Sequence, residues 1–430
     1  MAQRGYFGGI RAGFSRQFSS LAEYNFRVFF FGQVVSLIGT WMQSVGLAWL
    51  ALELTHSSVA IGLVTTVQFL PMMLFALVGG VLADWLPRRK TLIVVQTLAM
   101  LQAGALGFLV VADMVALWQV YLLAFAAGLL SAIERPMRQT FFIELVGREK
   151  LPNAVGLHSS ILNGSRVIGP AVAGFLIATV GVEATFLLNA ASYLAVLVGY
   201  LRMKPATFHA ARARRAEGSM WGQIVEGLRY ATTTPSPAFI FLLIGFLGTF
   251  GYNFTVVIPL LTRFVLDTGA AKFGLLTSAL SLGSLFSAFW LAGGGVRSHR
   301  FMVFAAVAFS ASFGLLAFSE SYYLTVGILF VVGLTSIALM TAANTTLQVE
   351  APEEMRGRVI SIYMLLMTGS TPIGGFLTGL LSDRAGVRPA IGIEAGLCGA
   401  GVLVALWYRW AHRAVLSPIA SAGRSVHPAA

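Results

Sequence analysis

Three ionisable side chains stand inside long apolar runs of this 430-residue chain: Glu134, Arg166 and Glu394. A charge in such surroundings costs at least ~2.5 kcal/mol unless it is paired or reached by water, so each marks a place for an ion, a proton or a charged ligand. Arg166 falls about midway along its run, where a guanidinium would attract an anionic substrate group or a carboxylate. Glu134 lies near the end of its run with Arg138 one helical turn on, so an i,i+4 pair competes with the carrying of a coupling proton. Glu394 is a second proton-site candidate. A polar stripe, Gln33, Ser36, Thr40 and Gln43, recurs on another apolar run at helical spacing, with Trp41 beside it. Ser and Thr in such stripes often join helices, whereas two glutamines and a tryptophan favour a cavity wall that touches substrate. Gln68, Tyr252 and Asn253 are similar candidates, while Thr277, Ser281 and Ser284 share one face and read as packing.

Other chemistries lack their residues. The six histidines lie mainly in loops or tails without metal spacing, with His158 read as structural. No nucleophile–base cluster is visible, so an integral membrane enzyme is disfavoured. Cys398, the single cysteine, excludes an internal disulfide and a thiolate metal site. No G-x-x-x-x-G-K-[S/T] run exists to cradle nucleotide phosphates, which argues against ATP-driven pumping. No cofactor and no metal are expected.

The elements that position these residues follow from composition. Hydrophobic residues make up 57% of the chain and charged residues 11%, with mean hydropathy +0.80. A water-soluble domain carries about a quarter charged residues, so this chain dissolves in lipid. Apolar stretches of about 20 residues, the length of a bilayer-crossing helix, predict spans at 28–52, 59–82, 91–111, 117–136, 154–179 and 184–203. The second half continues with 238–261, 273–293, 301–318, 322–342, 358–381 and 389–410. Continuous apolar runs exclude a strand barrel, so the expectation is an all-α membrane protein of twelve transmembrane helices in two six-helix bundles.

Of the 29 Lys and Arg, 24 fall in one set of loops and both tails. The opposite loops hold only Arg263, Lys272, Arg384 and Arg388, and Arg166 lies inside a span. This asymmetry places both termini in the cytoplasm of a cell membrane. The net charge of +12 is spread over short loops against a lipid surface, not gathered for nucleic acid. No signal peptide is read in the opening residues. The expected divisions are a cytoplasmic tail 1–27, a bundle 28–203, a basic linker 204–237, a second bundle 238–410 and a tail 411–430. In the linker, Trp221, Ile224, Val225 and Leu228 predict a helix on the membrane surface.

The halves repeat. At an offset of 205, Phe125, Gly128, Gly164, Gly169 and Gly174 find Phe330, Gly333, Gly369, Gly374 and Gly379. At 212, Gly62, Leu70 and Arg88 find Gly274, Leu282 and Arg300. Arg166 and Glu134 break the pattern, standing opposite Thr371 and Leu339. Parallel six-helix repeats are the layout of a transporter with its site near the membrane midplane.

Charge also gathers at "GGVLADWLPRRK", where Gly80 and Asp84 close one span and Arg88, Arg89 and Lys90 open the next. Asp84 is expected to pair with these bases, or with a helix N-terminus of the other half, in one of two states, a conformational latch. This stretch is similar to the loop 2–3 signature of the major facilitator superfamily, with Trp85 and Pro87 replacing the usual base and glycine. "GSRVIGPAVAG" resembles the antiporter signature of that superfamily's exporters through Gly164, Gly169, Pro170 and Gly174, with Ala173 in place of a glycine. "SLIGTWMQ", "LTHSSVAIGLV", "ERPMRQTFF" and "APEEMRGRVISIY" resemble the bacterial drug and siderophore exporter branch. The resemblance implies the major facilitator fold and a packing role for the four antiporter-motif residues. The expectation is a monomeric, proton-coupled exporter of an amphipathic or anionic small molecule, in contact with membrane lipids. The alternatives are a lipid or lysolipid flippase and a non-transporting receptor.

Overall fold

In a computed structural model, residues 18–209, 226, 228–230, 232–292 and 298–412 are described, apart from the side chains of 76–78, 80–81, 83–84, 292 and 354. The tails, most of the linker and its Trp221, Ile224 and Val225 lie outside the described residues, and Leu228 is helical. The helices are α1 (Tyr24–Thr55), α2 (Ser58–Trp85), α3 (Arg88–Val111), α4 (Leu117–Thr179), α5 (Glu183–Arg202), α6 (Pro235–Gly251) and α7 (Phe254–Leu260). They continue as α8 (Ala270–Ala292), α9 (His299–Leu315), α10 (Tyr322–Glu350), α11 (Glu353–Ala385) and α12 (Val387–Ala411). No strand occurs among the described residues.

Eleven of the described helical segments are long and apolar enough to cross a membrane, and α4, at 63 residues, holds two crossings. Gly147 divides it with φ 71° and ψ 176°, a backbone that favours glycine. The described residues thus form a multi-pass, all-helical membrane protein with length for twelve crossings.

Two expected spans differ from those found. Residues 137–153, expected as a basic loop, are helical on both sides of Gly147. Met137, Phe141, Phe142, Leu145 and Val146 face inward there and pack with Phe26, Phe29, Leu92 and Tyr200. The rings of Phe29 and Phe142 meet edge-on with centroids 5.6 Å apart. Bases on the outer face masked this apolar stripe. The seventh span is broken, because Tyr252 and Asn253 leave helical geometry between α6 and α7.

The helix ends have local causes. Ser57 caps α2 by accepting from the Ala60 amide, and Ser298 caps α9 by accepting from Arg300. Gly181 and Gly386 open the turns into α5 and α12 at φ 135° and 90°.

Contacts sort the chain into two compact units: the described residues of Met1–Ala60, Val67–Arg215 and Thr268–Ser278, and those of Ile61–Thr66, Ala216–Asp267 and Ala279–Ala430. The expected boundaries thus acquire two short exchanges, which are themselves repeat-related. Inside the first unit, a Cβ on Gly274 would lie 2.9 Å from Gly174 Cα and would strike the Pro170 carbonyl. Inside the second, a Cβ on Gly62 would meet the Gly375 carbonyl at 2.6 Å and Gly379 Cα at 3.2 Å. The sequence offsets map one contact onto the other. Gly128 against the Gln68 carbonyl likewise matches Gly333 against the Leu280 carbonyl. Small residues at these crossings let helix backbones touch, the packing that lipid-embedded helices favour.

Candidate substrate-binding and coupling site

The first unit places Arg166 and Trp41 together. Gly169, one turn after Arg166, brings α4 against α1, since a Cβ there would meet the Ile38 carbonyl at 3.0 Å and the Trp41 side chain. The Arg166 guanidinium carbon then sits 5.4 Å from the centroid of the Trp41 ring. Both side chains are partly exposed, as is Thr40 beside them, whose hydroxyl donates to the Ser36 carbonyl at 2.9 Å. Among the described ion pairs none includes Arg166. A cation over an indole face gains about 0.5–2 kcal/mol, which offsets part of the cost of holding a charge at this depth.

The other stripe residues face inward. Gln43 is 9% exposed and bridges three helices. Its Nε2 donates to Gln102 Oε1 of α3 at 3.1 Å, and its Oε1 accepts from Asn189 Nδ2 of α5. Gln102 in turn donates to the Leu123 carbonyl, and Ser192 donates to Asn189. The expectation of a cavity wall gives way here to a packed polar joint, because period alone does not separate the two faces of a helix buried on both sides. Gln33 is 2% exposed and accepts a long 3.4 Å bond from Arg138. Glu134 accepts from Arg138 Nη1 at 2.6 Å in the i,i+4 pair, and Gln96 donates to it at 3.3 Å. The His158 ring lies tilted against those of Phe29 and Phe142, with centroids 6.4 and 5.1 Å away.

At the basic seam, Arg88 forms an ion pair with Glu144 of α4, whose carbonyl also accepts from the His209 amide at 2.9 Å. Arg89 Nε donates to the Tyr200 carbonyl at 2.8 Å and Nη2 to Leu201 at 3.3 Å, satisfying the open end of α5. Lys90 is exposed. The backbone of Gly80 and Asp84 is in α2, and their side chains lie outside the described residues. Glu144 escaped the sequence reading. Its signal was its place near the end of the same repeat element that carries Arg138, one of few carboxylates in the first half.

The antiporter-motif residues divide. Gly169 and Gly174 make close helix approaches and Pro170 is buried with its carbonyl against Gly274, whereas nothing lies within 4 Å of a Cβ on Gly164. Ser278 adds a bond to the Val167 carbonyl at 2.8 Å.

In the second unit Tyr252 stacks on Phe309 with centroids 5.1 Å apart and donates to the Ser336 carbonyl at 2.9 Å. Asn253 is fully buried, donates to Thr249, and leaves Oδ1 without a partner. Glu394 is fully buried against Thr378 of α11. Gln68 is half-buried in the first unit, its carbonyl against Gly128. The structure therefore brings Trp41 to Arg166, and Gln33 and Glu134 to a shared Arg138, and keeps Tyr252, Asn253 and Glu394 in the other unit. No grouping of three or more His, Cys, Asp or Glu that could hold a metal occurs among the described residues.

Known proteins share this plan. Residues 15–422 match the model of a family described as transmembrane secretion effector. The staphyloferrin A transporter of Staphylococcus aureus is 25% identical over 366 residues, covering 84% of this chain and 90% of that protein. The multidrug efflux pump Tap of Mycolicibacterium fortuitum is 26% identical, covering 83% and 89%. The enterobactin exporter EntS of Escherichia coli is 27% identical, covering 89% and 91%. In fold, the crystal structure of the nucleoside transporter NupG superposes with a TM-score of 0.67 at 14% identity, covering 90% and 98%. A bacterial homologue of the lysosomal transporter Spinster, crystallised inward-facing and occupied, gives 0.69 at 13%, covering 90% and 96%. With that family model spanning nearly its whole length, this chain is a membrane transporter of small molecules, not an enzyme, and belongs to the transmembrane secretion effector family in the drug and siderophore exporter branch of the major facilitator superfamily.

Proposed function

We propose that this protein is a proton-driven exporter that moves an amphipathic or anionic small molecule out across the bacterial cytoplasmic membrane by alternating access. It works as a monomer with both termini in the cytoplasm. The observation that carries the reading is Arg166 held over the Trp41 ring at 5.4 Å, at mid-span, with Thr40 exposed beside it. A guanidinium over an aromatic face, with no ion pair among the described residues, is poised for a planar anion, and the indole offers that anion's apolar part a surface. The names of the relatives support an outward direction and a small-molecule cargo. Of the carboxylates that could carry the proton, Glu134 is bonded to Arg138, and no ion pair among the described residues includes Glu394. Asp84 and the bases of the α2–α3 seam act as the latch between states.

The test is export from proteoliposomes of paired fluorescent probes of one size, one anionic and one neutral. Arg166→Lys keeps the charge and loses the planar fork, so it should weaken the anionic probe's half-saturation about tenfold, a loss of about 1.4 kcal/mol. The neutral probe should change little. Equal losses for both probes, or none, would remove Arg166 from the substrate site.

A further inference from the structure

Glu394 is a buried carboxyl with one oxygen bonded and the other open. The residue is fully buried on α12, and among the described ion pairs none includes it. Its Oε1 lies within bonding distance of Thr378 Oγ1, and its Oε2 has no partner. A threonine hydroxyl carries a single proton. That of Thr378 lies 2.9 Å from the Gly374 carbonyl, the back-bond a helical threonine makes. Thr378 Oγ1 reaches both acceptors, so its one proton serves either the Gly374 carbonyl or Glu394 Oε1, and a proton on Glu394 lets both contacts be made at once. An ionised Glu394 would keep at most one hydrogen bond and no cation in an apolar interior, an arrangement proteins avoid.

The neighbours supply no compensating charge. Cys398 lies one turn on along α12, and the ring of Phe309 from α9 packs with it around Gly251. From the α6–α7 break come Tyr252, whose hydroxyl is bonded to Ser336, and Asn253, whose amide packs on Gly374. From α11 comes Thr378. The nearest ion pair along α12 is Arg388 with Glu320, at the helix start.

The repeat supplies a control. Gly181–Val182 and Gly386–Val387 enter α5 and α12 at the same offset of 205, which sets Asn189 opposite Glu394. Asn189 is a neutral amide with its Nδ2 bonded to Gln43 and its Oδ1 to Ser192. Packing at this place is thus met in the first unit by a satisfied amide. The second unit has a carboxyl with one open oxygen, beside a helix break that leaves the Asn253 acceptor open as well.

We propose that Glu394, bonded to Thr378, is the site in the second unit where the coupled proton is bound and released. The assignment rests on the reading of proton-driven export and names the group that bears the proton. Protonation of Glu394 forms its O–H bond and frees the Thr378 proton for the Gly374 carbonyl, and release returns the proton to water and leaves a carboxylate.

Infrared difference spectroscopy of the full-length protein in lipid, titrated from neutral to alkaline pH, tests the assignment without a substrate. Wild type should show the carbonyl band of a buried carboxylic acid that disappears on alkalinisation and is missing in Glu394→Gln. Thr378→Val, close in shape, should shift that band to the frequency of an unbonded acid, and Thr378→Ser should restore it. The Thr378 variants decide the matter even where Glu394→Gln fails to fold. A band that survives Glu394→Gln, or that Thr378→Val leaves unmoved, overturns the assignment. Glu394→Gln should also lose pH-driven export at least tenfold, and export at the wild-type rate overturns it too. Wild-type transport indifferent to a pH gradient would instead reject proton-driven export, whatever the infrared result.

Discussion

Replacing Gln43 with leucine separates a packing joint from a substrate contact. The side chain makes two interhelical bonds, to Gln102 at 3.1 Å and from Asn189. Such bonds within a membrane average about 0.6 kcal/mol and reach about 1.7. Leucine fills a similar volume, so little cavity cost is added. Gln102 keeps its bond to Leu123 and Asn189 keeps Ser192, leaving one acceptor and one donor buried without partners. The sum is a destabilisation of about 1–3 kcal/mol, a factor of roughly 5 to 150 in the folded ratio. Thermal unfolding of the two proteins in the same lipid measures it, and a double-mutant cycle with Asn189→Leu should return a coupling of about 0.6 kcal/mol or more. The range of exported compounds should stay the same. Unchanged stability together with an altered range of compounds would return Gln43 to the cavity wall and refute the reasoning.

Three further outcomes follow from the packing and the charge pattern. Glu144→Gln should cost about 1–3 kcal/mol by chemical denaturation, because it leaves Arg88, 11% exposed in its side chain, facing a neutral partner. Equal stability would show the pair to be incidental. Gly174→Val should lower the melting temperature, since its Cβ would lie 2.7 Å from the Ala270 carbonyl. Gly164→Ala, with nothing within 4 Å, should be neutral or gain up to about 1 kcal/mol. Reporter fusions after Ala430 and in the linker at 204–237 should both read cytoplasmic, and an external reading of either would overturn the charge-based topology.

The fold was largely legible because lipid imposes a length and an all-helical backbone on every crossing. The repeat was legible too, down to Gly62 and Gly274, since glycines at helix crossings tolerate no substitute. Residues 137–153 were misread for a physical reason: Phe141 and Phe142 are fixed by a hydrophobic cluster at the basic end, and charge counting looks past apolar spacing. The break at Tyr252–Asn253 leaves no proline or glycine signature at the two residues themselves, although Gly251 precedes them. At the candidate site, Arg166 stood out by its cost in lipid, but its pairing with Trp41 depends on Gly169, one turn on along the same helix face, which no charge pattern announces. Period alone did not distinguish Gln43, bonded on both sides, from Thr40, which stays exposed. Arg88 found Glu144 across 56 residues of sequence, a partner that no local pattern announces.

Export driven by protons is the central claim, and inverted membrane vesicles measure it most directly. Vesicles bearing the protein, offered a fluorescent amphipathic anion, should accumulate it when an inward-acid pH gradient is imposed and lose it when a protonophore collapses that gradient. Accumulation independent of the gradient, or equal to that of vesicles without the protein, would contradict the account.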